Sequence, residues 1–195
     1  MKKKDYNTIH SSKLPLTGRI GRIAKIMISE TELSTVEQVM KGAGKFDELS
    51  SSAKADYIRD MVNRMKQVIG VTKTRKILVS CGMMCCGITH RKLAKQLMQE
   101  SKSIKDFISR INKRHIGGGR LKLQGANTIT GGYDRCYCGI VSKTRTSFPD
   151  LIYCHCSTGW YKQLFETALS RPVKVKILKS IISGAKTCEF VIKIL

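Results

Sequence analysis

Along residues 52–69 the apolar side chains fall at Tyr57, Ile58, Met61, Val62, Met65, Val68 and Ile69. That spacing stays close to 3.6 and predicts an amphipathic helix. Shorter stretches before and after it keep the same period. Ser34 with Glu37 frames a capping box ahead of Val36, Val39 and Met40, and Gly42-Ala43-Gly44 ends that helix. Residues 72–80 predict a further short helix that leads into CGMMCCG at 81–87. Leu93, Leu97 and Met98 carry helical spacing over 89–98. Ser103 with Asp106 opens another helix through Phe107, Ile108 and Ile111, which stops at Gly117-Gly118-Gly119.

After the triple glycine the period falls to two. RLKLQ at 120–124, RCYCGIV at 135–141, LIYCHCS at 151–157, VKVKILKSII at 173–182 and TCEFVIKIL at 187–195 alternate or carry β-branched residues, and they predict strands. Gly131-Gly132, Phe148-Pro149-Asp150 and Ser183-Gly184 supply turns between them. One helix interrupts over 160–169 and ends before Pro172. Helices first and strands later predict an α+β fold with a mainly antiparallel sheet. The expected organisation is one domain over 1–195, with a helical part at 1–116 and a strand-rich part at 117–195.

Composition adjusts this picture in two ways. Apolar residues make up 42% of the 195-residue chain, enough for a packed core. No stretch approaches the ~18 apolar residues of a membrane span. The N-terminal MKKKDYNTIHSSKLPLTG has no apolar segment of the secretory kind, so the expected compartment is the cytoplasm, without membrane attachment. Charge is the second adjustment. Lys and Arg number 36 against 14 Asp and Glu, a net +22, which raises a nucleic-acid partner. The basic residues are spread along the whole chain, however, and aromatics are only 6%, few for base stacking. A solvated basic surface accounts for the same charge.

The cysteines carry the candidate chemistry: Cys81, Cys85, Cys86, Cys136, Cys138, Cys154, Cys156 and Cys188. In a reducing compartment such residues serve as metal ligands or reactive thiols more often than as disulfides. On strands, Cys136 and Cys138 would face the same side, and so would Cys154 and Cys156, with His155 on the opposite face. Cys81 and Cys85 share a face if helix continues there. Tetrahedral zinc takes four soft ligands at ~2.3 Å, and iron–sulfur clusters use the same thiolates. The candidate metal set is Cys81, Cys136, Cys138, Cys154, Cys156 and Cys188. A nucleophilic or redox thiol at Cys85 or Cys86, activated by helix-end amides and assisted by His90, is the alternative. Burial of all eight as small apolar side chains is the third reading. His10 and His115 read as surface residues, and no close pair of acids suggests an acid/base dyad.

The segment YCHCSTGWYKQLFETALSRPVKVKILKSIISGAKTCEF resembles the closing portion of the 4-vinyl reductase type domain, itself distantly similar to TRAPP-type vesicle-tethering subunits. The likeness rests on Gly159-Trp160 at a helix start and on Gly184, Cys188 and Phe190 in a Gly-x-x-x-Cys-x-Phe ending. L-2-amino-thiazoline-4-carboxylic acid hydrolase-like proteins end in a similar way. The resemblance implies an α+β domain that binds small molecules, with zinc held by cysteines in some members. In those members a cysteine often stands eight residues before the last one; here that residue is Ser180. The acid expected on the preceding strand is also missing, where Lys174, Lys176 and Lys179 stand. The resulting expectation is a zinc- or small-ligand-binding domain. Its alternatives are a thiol-dependent hydrolase of a thiazoline or cyclic amide (Cys85, Cys86, His90) and a nucleic-acid binder. A homodimer is compatible with each.

Overall fold

The computed structural model describes residues 14 and 17–195. His10 and most of the basic N-terminal segment lie outside them. Among the described residues six α-helices and four strands follow one another: α1 Gly18–Glu30, α2 Leu33–Val39, α3 Ser51–Cys85, α4 Ile88–Gln99, α5 Ile104–Lys113, β1 Lys122–Gln124, β2 Thr128–Tyr133, α6 His155–Leu169, β3 Val173–Lys179 and β4 Cys188–Ile194. The fold is α+β. No helix among the described residues is long and apolar enough to cross a membrane.

The long helical pattern forms as its spacing dictates. Ala55, Ile58, Met61, Val62 and Met65 are buried along α3, and the Ser50 side chain caps its start by accepting from the Ala53 amide at 3.3 Å. Gly70, at φ 78 and ψ 159, breaks α3 into two pieces across a kink. The second piece runs on through Cys85, past the expected end at 80. α5 opens as anticipated, with Ser103 accepting from Asp106 N at 3.2 Å. The capping box at Ser34 does not form. α2 starts earlier, with Glu32 as the extended residue before it, so Ser34 already has helical backbone and cannot act as a cap. α1 was not foreseen, although Ile20, Ile23, Ala24 and Met27 bury one stripe of it.

The strand-rich half departs further from expectation. The sheet has the order β1-β2-β4-β3, antiparallel throughout. Gly131-Gly132, expected as a turn, lies inside β2 opposite Phe190 and Glu189. A Cβ on Gly132 would stand 2.0 Å from the Cys188 carbonyl oxygen, so only glycine fits this pairing. Neither C-x-C segment is a strand. Residues 135–138 are irregular and 139–143 form turns, with the Val141 and Ser142 amides both bonded to Cys138 O. Residues 151–154 are a tight turn, and Cys156 is already in α6. The reason lies at Asp150, whose Oδ1 accepts from the Ile152 amide at 2.9 Å. That Asx-type turn starts a run of i→i−3 bonds, Cys154 to Leu151, His155 to Ile152 and Cys156 to Tyr153, which feeds into the helix. β4 is already paired on both edges by β2 and β3, so no central position in the sheet is left for either segment.

One face of the sheet is buried through Ile129, Val173, Ile177, Phe190, Ile192 and Ile194, while Lys174, Lys176, Lys179 and Lys193 of β3 and β4 are exposed. α6 covers the buried face and packs in turn against α3 and α4. The α3–α6 contact is backbone to backbone. A Cβ on Gly82 would meet Cys156 O at 1.8 Å, and one on Gly159 would meet Val79 O at 1.9 Å. Gly159→Ala must therefore push the two helices apart. Overpacking of this kind costs about 3 kcal/mol, and equilibrium urea unfolding should show a loss of that order. A change under ~0.5 kcal/mol, the scale of an ordinary surface substitution, would contradict the crossing.

Candidate functional site

The crossing sets the end of α3 against the start of α6, and the 135–141 segment and the first residue of β4 close over the same space. Between them lies a cavity of about 390 Å³, within the range of small-ligand sites. Six cysteines line it: Cys85, Cys136, Cys138, Cys154, Cys156 and Cys188. Its walls also hold four aromatic residues, Tyr133, Tyr137, Tyr153 and Trp160, and two guanidinium groups, Arg19 and Arg114. Among the described residues no Asp or Glu is in the lining.

Two polar clusters organise the walls. In the first, Arg19 of α1 donates to Cys138 Sγ and to Tyr153 OH at 3.0 Å. Cys138 Sγ and Tyr153 OH are 3.1 Å apart. Among the described residues the Arg19 Nε is buried with no partner, a donor still to be satisfied. In the second cluster, Ser180 Oγ lies 2.9 Å from Cys154 Sγ and 4.0 Å from Cys188 Sγ. The Ile181 amide donates to Cys188 Sγ at 3.4 Å. Ser180 is buried, and its hydroxyl contacts both thiols.

The thiols are not equivalent. Cys85 is the last residue of α3, half-buried, one turn beyond Cys81 on the same face. The Cys81 thiol donates toward it, and Arg19 and Arg22 add positive charge, so Cys85 is lowered to about 5 against the opposing effect of burial. Cys81 moves the other way: its hydrogen bond to Cys85 and its own burial hold its proton firmly. Burial pushes Cys136 up to about 11 and Cys156 up to about 12, despite Arg19. It raises Cys154 as well, and the neighbouring Cys156 adds to that. One thiolate therefore faces several protonated thiols across a small space.

Measured against the expected sets, Cys136, Cys138, Cys154, Cys156 and Cys188 reach one cavity, though the two C-x-C pairs do so from loops and a helix start rather than from paired strand faces. Cys81 is buried behind Cys85 and does not reach the lining. Among the described residues no three His, Cys, Asp or Glu side chains group so as to hold a metal ion. Of the nucleophile set, Cys85 and His90 line the cavity and Cys86 does not. Cys86 is buried, and that burial raises it to about 11. The expected activation by helix N-terminal amides is corrected too. Cys85 ends a helix, and its hydrogen-bonding and charged neighbours set its ionisation. His90 packs its ring edge-on to Trp160, with centroids 5.7 Å apart. His155 begins α6 outside the lining, and burial, with Arg75 adding, lowers it. His115 is exposed, as expected, and its left-handed backbone also sets it at the cavity wall.

Sequence reasoning missed Arg19, Arg114, Tyr133, Tyr137 and Tyr153. Arg19 belongs to the unforeseen helix α1, whose buried stripe was the one available signal.

A family of unknown function, DUF6144, matches residues 21–195, and the chain belongs to that family. No curated protein matches it.

The ionisation of Cys85 is directly measurable. Alkylation of this residue by iodoacetamide, followed by peptide mass spectrometry across pH, should titrate with a midpoint near pH 5. Below that pH the thiol is protonated and the rate falls. In Cys81→Ala the strongest cause of the lowering is gone, so the midpoint should move up toward the ordinary thiol range. An unmoved midpoint would exclude the Cys81 hydrogen bond as that cause.

Proposed function

We propose that the chain binds a small anionic ligand in the thiol-lined cavity and presents the Cys85 thiolate to it. The observation that carries this reading is the composition of the wall: two guanidinium groups, aromatic faces and six thiols, with no carboxylate among the described residues. A desolvated cation attracts an anion strongly where no competing acid neutralises it. The Arg19 Nε, without a partner among the described residues, supplies a hydrogen-bond donor for a carboxylate-like group. Aromatic side chains supply apolar contact for the rest of the ligand. Cys85 then lies beside the bound molecule as the group able to react with it, with His90 on the same wall as a proton carrier.

A second reading is favoured by one specific feature, the meeting of Cys154, Ser180 and Cys188 with Cys136 on the same wall. These are soft donors of the kind zinc takes. Their present arrangement does not form a metal-holding group, and burial keeps Cys136 and Cys154 protonated. Any metal held there would have to displace those protons. Metal analysis after anaerobic purification decides this reading. About one zinc per chain supports it, and less than about a tenth rejects it.

The leading proposal makes a different prediction. Iodoacetate and iodoacetamide differ in charge and little in size. The ratio of their rates at Cys85 should exceed the ratio for glutathione by about tenfold, because the wall concentrates the anion. Arg19→Gln should bring the ratio down most of the way to the glutathione value, whatever it does to the absolute rates. A ratio at or below that of glutathione in the unaltered chain would overturn the anionic-ligand reading.

A further inference from the structure

We infer that Cys81 and Cys85 form a dithiol pair that reduces a small anionic disulfide by thiol–disulfide exchange. The substrate class rests on the proposed anionic preference of the cavity; the pairing of the two thiols does not.

The geometry divides the two thiols by role. Cys85 is half-buried and opens into the cavity, where a bound disulfide would meet it. Cys81 is fully buried one turn back and does not line the cavity, so it can meet Cys85 while a cavity-bound molecule cannot meet it first. Residues four apart on a helix carry Cβ atoms ~5–6 Å apart, while a disulfide needs ~3.5–4.5 Å. The last helical turn must open out to close that difference, because a tighter 3-10 turn would carry residues four apart away from each other; the turn is already irregular where α3 ends. The Cys86 amide is shared between Gly82 O at 3.1 Å and Met83 O at 3.2 Å, a mixed α and 3-10 ending. Cys85 is the final residue of α3, and Gly87 follows, with open space around its Cα. Movement of Cys85 toward Cys81 is taken up at Cys86 and Gly87, the two residues between α3 and α4.

The exchange balances without an outside oxidant. The Cys85 thiolate attacks one sulfur of the disulfide R–S–S–R. A Cys85–S–S–R bond forms, the original S–S bond breaks, and RS⁻ leaves with the electron pair. Cys81 then releases its proton to water and attacks Cys85 Sγ. The Cys81–Cys85 bond forms, and the second RS⁻ leaves. The substrate is reduced by two electrons and the cysteine pair is oxidised by two. Arg19 and Arg22, the cations that act on Cys85, stand where negative charge resides during the first step. The ionisation pattern agrees with the order of steps. The hydrogen bond to the Cys85 thiolate is the largest cause holding the Cys81 proton, and capping Cys85 as a mixed disulfide removes it.

The probe is dithiobis(nitrobenzoate), an aromatic disulfide with a carboxylate on each half, which releases a coloured thiolate at each exchange. The full reduced chain should release two coloured thiolates in its fast phase, and peptide mass spectrometry should then find a Cys81–Cys85 disulfide. Cys81→Ala and Cys81→Ser should each release one in that phase and retain the nitrobenzoate adduct on Cys85. Cys85→Ser should lose the fast phase. Using both residues at position 81 guards against a folding defect in either, checked by circular dichroism. A single release with a stable adduct in the unaltered chain would overturn the pairing. A bond from Cys85 to Cys156 or any other cysteine would overturn it as well. The uncharged dithiodipyridine separates the two premises. If it gives the same double release and reacts as fast as the charged probe, after scaling both rates to glutathione, the anionic preference fails and the dithiol pair stands.

Discussion

Gly82 and Gly159 face each other's helices where even a methyl group would collide with a carbonyl oxygen. That contact fixes the separation of α3 and α6 at backbone distance, and the rest of the site follows from it. With larger residues there, the end of α3 and the start of α6 would stand further apart, and Cys85 would be separated from Cys156 and its neighbours. α6 also rests on the buried face of the sheet, so the same crossing places the first residue of β4, Cys188, at the edge of the cavity. Close-packed interiors transmit such constraints because they have little room to relax.

The cavity gathers groups that ordinarily avoid one another in low dielectric. Several thiols stay protonated because burial disfavours their charged form. Cys85 ionises because it receives what the others lack, a donated hydrogen from Cys81 and the charges of Arg19 and Arg22. Arg19 contributes to two walls at once, bonding to Cys138 and Tyr153 while acting on Cys85. Its position on α1 explains why that short amphipathic helix matters to the site and not only to the core.

Much of the helical half was legible because long periodic stretches leave few alternatives. Residues 52–69, 89–98 and the Ser103 cap formed nearly as their spacing implied, and Gly70 separated the two pieces of α3. The sheet was half legible. β3 and β4 carry their β-branched residues on paired strands, whereas TITGGY hid β2 behind two glycines that the approach of Arg120 O to one and Cys188 O to the other explains. The C-x-C segments misled for a related reason. RCYCGIV and LIYCHCS alternate like strands, but alternation states only that one side is apolar; it does not supply a neighbouring strand. Asp150 turned one of them toward a helix. Of the candidate site, the thiols were legible as residues and their meeting was not, since they come from α3, a turn, α6 and β4. Ser180 was marked by its distance from Cys188 in sequence, and it stands between Cys188 and Cys154.

The division between Cys81 and Cys85 has a physical consequence for how the cavity handles protons. A thiolate and a thiol joined by one hydrogen bond share a single proton, and each one's ionisation depends on the other's. Anything that caps Cys85, whether a ligand carbon, a metal or a second sulfur, removes the acceptor that holds the Cys81 proton. The buried thiol then becomes more acidic than before, at the moment when its partner has reacted. The other cavity thiols gain nothing comparable, because burial rather than a partner is the leading cause that keeps Cys136, Cys154 and Cys156 protonated. The reactive end of α3 is thus chemically distinct from the wall opposite, although both are made of cysteine. The distinction arises from a spacing of four residues on a helix that continues five residues past the point where its apolar pattern appeared to stop.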